Sequence, residues 1–249
     1  MIAFNSLSKS YGAFDAVKGL SLTVQKGEVF GFLGPNGAGK TTSIRMMMGI
    51  LVPSSGSVTI NGLNCHTQRA EVQRNVGYLP DNPIFYDYLR AREILQFVAE
   101  MHGYTRKDAM ARADRLLNDF GLAEDAHEYA VNYSLGMKKK LGLACAMIHV
   151  PEVLILDEPI NGLDPRAARD VQARLRDISA QGRTIFVSTH LLDMAERLCS
   201  RIGIIHRGQL VVQGTPEEVK QQMSRDGGGS LEDAFLQITE QSQADLDAP

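Results

Sequence analysis

The chain has 249 residues, 44% of them hydrophobic and 22% charged, an ordinary globular composition with enough apolar material to bury a core. A net charge of −3 offers no basic surplus for nucleic acid, and no apolar run reaches the ~18 residues that cross a bilayer. Cys65, Cys145 and Cys199 show no CxxC spacing, which speaks against a disulfide framework or zinc site and for a reduced, cytosolic compartment.

In chain order, Ser21 to Val24 and Val29 to Leu33 are expected strands around the turn "QKGE". "GPNGAGKTT", from Gly34 to Thr42, then matches G-x-x-x-x-G-K-[ST] between that strand and a helix expected over Ser43 to Gly49. The glycines Gly34, Gly37 and Gly39, with Pro35, Asn36 and Ala38 between them, let backbone N–H groups face phosphate oxygens at a helix start. Lys40 is the side chain to reach β- and γ-phosphates, Thr41 the hydroxyl for magnesium, and Thr42 completes the loop. Met46, Met47 and Met48 read as core filler.

"GSVTI" and "NGLNC" predict a hairpin turning at Asn61-Gly62, and Pro83 to Ile148 turns to helical periodicity. Within it, "NYSLGMKKKLGLACAMIH" predicts a helix burying Leu141, Ala144, Cys145 and Ile148, with Lys138, Lys139 and Lys140 as a solvated first turn adding positive potential. Val153 to Asp157 and Thr184 to Thr189 read as buried strands separated by an amphipathic helix, the pattern of a covered parallel sheet. Asp157 and Glu158 end the first, with neighbouring side chains on opposite faces: Asp157 is the magnesium candidate or a helix cap, Glu158 the base that polarises water. His190 follows the second strand as a γ-phosphate sensor. A hairpin turning at Arg207-Gly208 follows. The tail has a glycine break at Gly227 to Gly229, a short amphipathic helix on Leu231, Ala234, Phe235 and Ile238, and an acidic end.

The ordered set "SKSYG", Gly34–Thr42, "VGYLPD", "YSLGMKKK", "VLILDEP", "NGLD" and "STH" resembles an ATP-binding cassette (ABC) ATPase over nearly the whole chain. The resemblance implies an α/β P-loop NTPase with a RecA-like core, an antiparallel β subdomain and an ABC helical subdomain. Residues 1–220 would form the ATP-binding domain, its helical part about 83–150, and 221–249 a linker, short helix and tail. It further implies ATP and Mg2+, a head-to-tail dimer with ATP between the copies, Tyr11 stacking on adenine, and Asp164 linking the two sites. Ser134 and Gly136 stand in the signature that contacts the partner's phosphate, with Leu135 and Met137 departing from its usual spelling. Asp81 replaces a glutamine that touches magnesium; aspartate there is either a metal ligand or a turn former in "PDNP".

"YLPD…YDYLRARE" and "SLEDAFLQIT" resemble ATPase subunits of bacterial exporters whose permease is a separate chain. That implies a second ATP-binding subunit (a homodimer), no nucleic-acid partner, and a place at the cytoplasmic face of the membrane. The permease would dock near Asp81 to Arg92, on Tyr86 and Tyr88 unless these pack within the subdomain. The alternative is a soluble, non-transport ABC ATPase.

Overall fold

The computed structural model describes residues 1–223, 231–232 and 235. The glycine break, the tail helix and the acidic end therefore lie outside the described residues, apart from Leu231, Glu232 and Phe235. The chain divides into two compact units: Met1–Val72 with the chain from Ile178 onward, and Gln73–Asp177.

The first unit begins with an antiparallel sheet. β1 (Ile2–Tyr11) pairs with β2 (Phe14–Val24) and with β4 (Ser55–Ile60), and β4 pairs with β5 (Leu63–Asn64). The expected Asn61-Gly62 hairpin is present, with φ of 52° and 82° suiting a type I′ turn. β1 itself gave little strand signal: Ser6 is left-handed at φ 47°, and register shifts after Phe4 and Asn5 break the polar–apolar alternation.

A second sheet in this unit has the order β10-β9-β3-β8. β3 (Val29–Leu33) runs parallel to β8 (Thr184–Thr189) and β9 (Arg201–His206), while β10 (Gln209–Gly214) returns antiparallel through Arg207-Gly208. β3 and β8 are buried along their whole length, as the continuous apolar runs predict. Phe186 of β8 stacks on Phe30 at 5.8 Å between ring centroids and meets Phe32 at 5.4 Å and Phe4 of the first sheet at 6.1 Å. Such ring pairs add about 1 kcal/mol each beyond burial alone. α1 (Lys40–Met47) starts three residues earlier than expected, because Lys40, Thr41 and Thr42 enter the helix; Met46, Met47 and Met48 are buried. This unit also carries α7 (Leu192–Leu198) and α8 (Pro216–Met223).

After α2 (Arg69–Asn75) comes the second unit, where β6 (Val76–Leu79) pairs parallel with β7 (Val153–Asp157). Three helices lie between them in sequence: α3 (Ala91–Met101), α4 (Arg106–Asp119) and α5 (Leu135–Met147), followed after β7 by α6 (Pro165–Ala180). α3 and α4 are tied by a two-pronged pair from the Arg92 guanidinium to Asp114, at 2.6 and 2.7 Å. α5 departs from the expected single stripe. Lys139, Leu141, Gly142, Leu143, Ala144 and Ala146 are all buried, so it is covered around most of its circumference, while Cys145 is only half-buried. Gly77 and α5 are in close approach: a β-carbon at Gly77 would stand 2.1 Å from the Ala146 carbonyl oxygen.

Candidate functional site

In the first unit, Leu33 at the end of β3 is in register with Thr189 at the end of β8. The loop beginning at Gly34 and the residue His190 therefore leave the sheet at the same edge, where parallel α/β sheets build their sites. The loop crosses to α1 through Gly37 and Gly39, both left-handed, at φ 81° and 106°. Gly39 precedes the helix with no side chain capping it, and no acidic residue stands in the first turn. The first turn of a helix carries N–H donors without intrahelical partners and the positive end of the dipole. Lys40 is buried and folds back over its own loop, its ammonium donating to the carbonyl oxygens of Gly34 at 2.6 Å and Pro35 at 3.2 Å. Ser43 donates its hydroxyl to the Gly39 carbonyl at 3.0 Å, fixing the turn from below. Glycine donors, a helix start and one cation make this loop suited to a polyphosphate.

The loop is also walled by its own unit. A β-carbon on Gly34 would stand 2.4 Å from the Ile205 carbonyl oxygen. Gly208 donates its N–H to the Ala38 carbonyl at 3.0 Å, so the β9–β10 turn braces the loop's far side. Tyr11 stands at the tip of the β1–β2 hairpin, half exposed, with the Lys9 ammonium 5.3 Å from its ring centre.

In the second unit, Leu79 of β6 is in register with Leu156 of β7, so Asp81 and the pair Asp157-Glu158 leave one edge together. Asp157 is buried at the strand end. Glu158, also buried, is not on the strand: at φ 47° it turns left-handed, so this kink, and not strand alternation, separates its side chain from that of Asp157. From there the chain descends in turns, with the Asn161 N–H donating to the Glu158 carbonyl at 3.3 Å and the Leu163 N–H to the Ile160 carbonyl at 3.2 Å.

Those turns end at Asp164, whose carboxylate accepts from the N–H groups of Arg166 and Ala167, both at 3.0 Å. Asp164 thus caps α6, with Pro165 at its first helical position. These donors, Ala167 first, hold the Asp164 carboxyl below its ordinary value, with Lys140 adding a smaller charge effect. Ser134 caps α5 in the same way, its hydroxyl accepting from the Met137 N–H at 3.3 Å. Gly136 faces Ala167, 3.4 Å from where a β-carbon would be. Ser134, Gly136, Lys140, Asp164 and Asp170 line one groove of about 400 Å³, its floor formed by two helix starts.

The lysine run corrects the solvated-turn expectation. Lys140 pairs with Asp170 at 3.0 Å. Lys139 is 1% exposed; its ammonium donates to the Asp81 carboxylate at 3.3 Å and, at closer range, to the Glu158 carbonyl oxygen. The sequence carried a signal for this, since Lys139, Gly142, Leu143 and Ala146 fall at i, i+3, i+4 and i+7 on one buried face.

Residues 17–161, more than half the chain, match the family model described as "ABC transporter". The chain belongs to the ABC transporter family. It is 41% identical over 212 residues to the bacitracin transport ATP-binding protein BcrA of Bacillus licheniformis, covering 85% of this chain and 68% of that one. It is 35% identical over 240 residues to the probable multidrug ABC transporter ATP-binding protein YbhF of Escherichia coli K12, covering 96% of this chain but 41% of that protein. The chain thus spans less than half the length of that relative. Among solved structures it is similar to the ATP binding subunit of an ABC transporter, with TM-score 0.87, 31% identity, and coverage of 96% of this chain and 99% of that one. The fold is that of the ABC ATP-binding cassette, and the expected α/β P-loop class holds.

Proposed function

We propose that this ABC family member binds ATP with magnesium, dimerises around the nucleotide, and uses its hydrolysis to drive export through a separate integral membrane permease. The observation that carries this reading is the Gly34–Thr42 loop, where left-handed glycines, an uncapped helix start and the folded-back Lys40 converge. In this reading residues 1–220 are the ATP-binding domain, with a helical subdomain about 83–150, and 221–249 form an appended tail. Lys40 and the loop N–H groups bind the β- and γ-phosphates, Tyr11 stacks on adenine, and His190 senses the γ-phosphate.

Thr41 and the buried Asp157 are hard oxygen donors of the kind magnesium prefers. Among the described residues no three of His, Cys, Asp and Glu gather as a metal cluster. Magnesium there would neutralise phosphate charge. Glu158 would take the proton of the attacking water, its site in a buried stretch that excludes bulk solvent.

The groove of Ser134, Gly136 and Asp164 is proposed to meet the nucleotide held by a second copy of the chain. Transport is favoured by the relatives, whose names give bacitracin and multidrug transport as their tasks. Among the described residues no helix is long and apolar enough to cross a membrane, so the span would come from the permease, holding this chain at the cytoplasmic face.

Glu158→Gln keeps shape while removing the base. It should retain ATP affinity, accumulate as a dimer in size-exclusion chromatography with ATP, and lose turnover by about 100-fold or more. Parental turnover would remove Glu158 from the role of base. Co-purification of a membrane protein from detergent extract checks the transport reading, and a ribosome-bound pool would contradict it.

A further inference from the structure

The connection between Lys139, Asp81 and Glu158 has no part in the proposed chemistry, yet it is costly to build. A lysine ammonium taken out of water is strongly disfavoured unless it is paired and hydrogen-bonded. Lys139 is among the largest fully buried side chains of the protein. Burial pushes its ammonium below the ordinary lysine value; Asp81 opposes this most, then Glu158 and Asp157. Glu158 in turn occupies a left-handed conformation that a side-chain-bearing residue adopts at a cost of about 1–2 kcal/mol. Such a conformation persists only where surrounding groups hold it. The Glu158 carbonyl accepts from the Asn161 N–H of its own turn and from the Lys139 ammonium of α5.

We infer that Lys139 is a positioning residue for Glu158, clamping its peptide in the left-handed turn, and that Asp81 serves as the counter-anion of that clamp instead of as a magnesium ligand. The inference rests on Glu158 being the base. The charge arithmetic explains the departure at position 81. A neutral glutamine could accept a hydrogen bond from Lys139 but could not balance its charge, whereas the half-exposed Asp81 carboxylate (51%) does both. Asp81 reaches the clamp because β6 and β7 end in register, and Lys139 reaches it because α5 turns that face inward. All three residues belong to one compact unit. A change in what touches Asp81 would therefore pass through one side chain to the peptide of Glu158.

The test is a double-mutant cycle on the purified full chain, with ATP turnover measured against ATP and against magnesium. Lys139→Gln should lower kcat by about tenfold or more while KM for ATP changes less than about threefold. Asp81→Ala should lower kcat with the magnesium half-saturation unmoved, and the double variant should be no slower than Lys139→Gln alone. Parental kcat in Lys139→Gln, or losses that multiply in the double variant, would overturn the clamp. So would an Asp81→Ala defect repaired by high magnesium, which would make Asp81 a metal ligand. If Lys139→Gln fails to fold, judged by Tm, Lys139→Met replaces it, removing the charge at similar length. If neither folds, kcat and the magnesium curve of Asp81→Ala decide alone. Glu158→Gln is assayed alongside: parental turnover there with the cycle's coupling intact removes the base assignment and not the clamp.

Discussion

Gly39 lies against Ala16 so closely that a β-carbon on it would stand 2.5 Å from the Ala16 carbonyl oxygen. Its φ of 106° lies outside what a side-chain-bearing residue accepts without strain. The Gly34–Thr42 loop, the proposed phosphate cradle, is thus shaped by the neighbouring β2 strand as well as by its own sequence. Gly39→Ala should weaken binding of a fluorescent ATP analogue by more than about tenfold and lower Tm, since left-handed strain alone costs about 1–2 kcal/mol. Unchanged affinity would mean the loop does not cradle phosphate.

Ser134 and Gly136 open α5 beside the start of α6 and line a groove with Asp164 and Lys140. Ser134→Arg or Gly136→Asp should abolish hydrolysis while leaving ATP binding at Lys40 largely intact. Gly136→Ala is the mild control, since its added carbon meets Ala167 at an ordinary 3.4 Å. Loss of nucleotide binding in Ser134→Arg, measured by equilibrium dialysis, would assign this helix to its own fold.

Asp164 supplies a pH signature. Its carboxyl is held low by the Ala167 and Arg166 N–H groups, so the folded state binds a proton less readily than the unfolded chain. A depressed carboxylate stabilises the fold above its unfolded value of about 3.9, and that contribution fades as pH falls through the folded value. Asp164→Ala should therefore lower Tm at pH 7. The gap to the parent should narrow progressively below about pH 4. A gap independent of pH would mean that the capping charge contributes nothing.

Tyr86 and Tyr88 differ more than their sequence suggests. Tyr86 is 69% exposed but packs edge-on against Phe97 at 6.4 Å, whereas Tyr88 is 86% exposed. Tyr88→Ala should change stability by less than about 0.5 kcal/mol yet reduce co-purification of the permease. Tyr86→Ala should cost up to about 1 kcal/mol more through the lost ring contact. Equal permease recovery with Tyr88→Ala would move the docking surface elsewhere.

Much of the fold was legible because its signals are local. The Gly34–Thr42 loop and the Asn61-Gly62 and Arg207-Gly208 turns each depend on the φ preferences of a few adjacent residues. The buried strands Val153–Asp157 and Thr184–Thr189 were legible from unbroken apolar runs. β1 was harder, since left-handed Ser6 and its bulges scramble the period on which strand reading depends. The start of α1 slipped by three residues because Lys40 and its two threonines read as loop chemistry while the backbone is already helical.

The sequence by itself determined which side chains stand at the spacing of a phosphate loop and at the strand ends, and the phosphate, metal and water roles proposed for them follow from their chemistry at that spacing. Tertiary structure decided how Lys139, Asp81 and Glu158 act on one another. Lys139 shares a run of three lysines, and although its spacing with Gly142, Leu143 and Ala146 marks one helix face, the packing around α5 is what takes it out of water. Once buried, its charge needs an anion, and β6 ending in register with β7 brings Asp81 to it, 58 residues away in the chain. Local spacing can mark a buried face, but long-range charge pairing depends on which elements cover one another, and no local pattern encodes that.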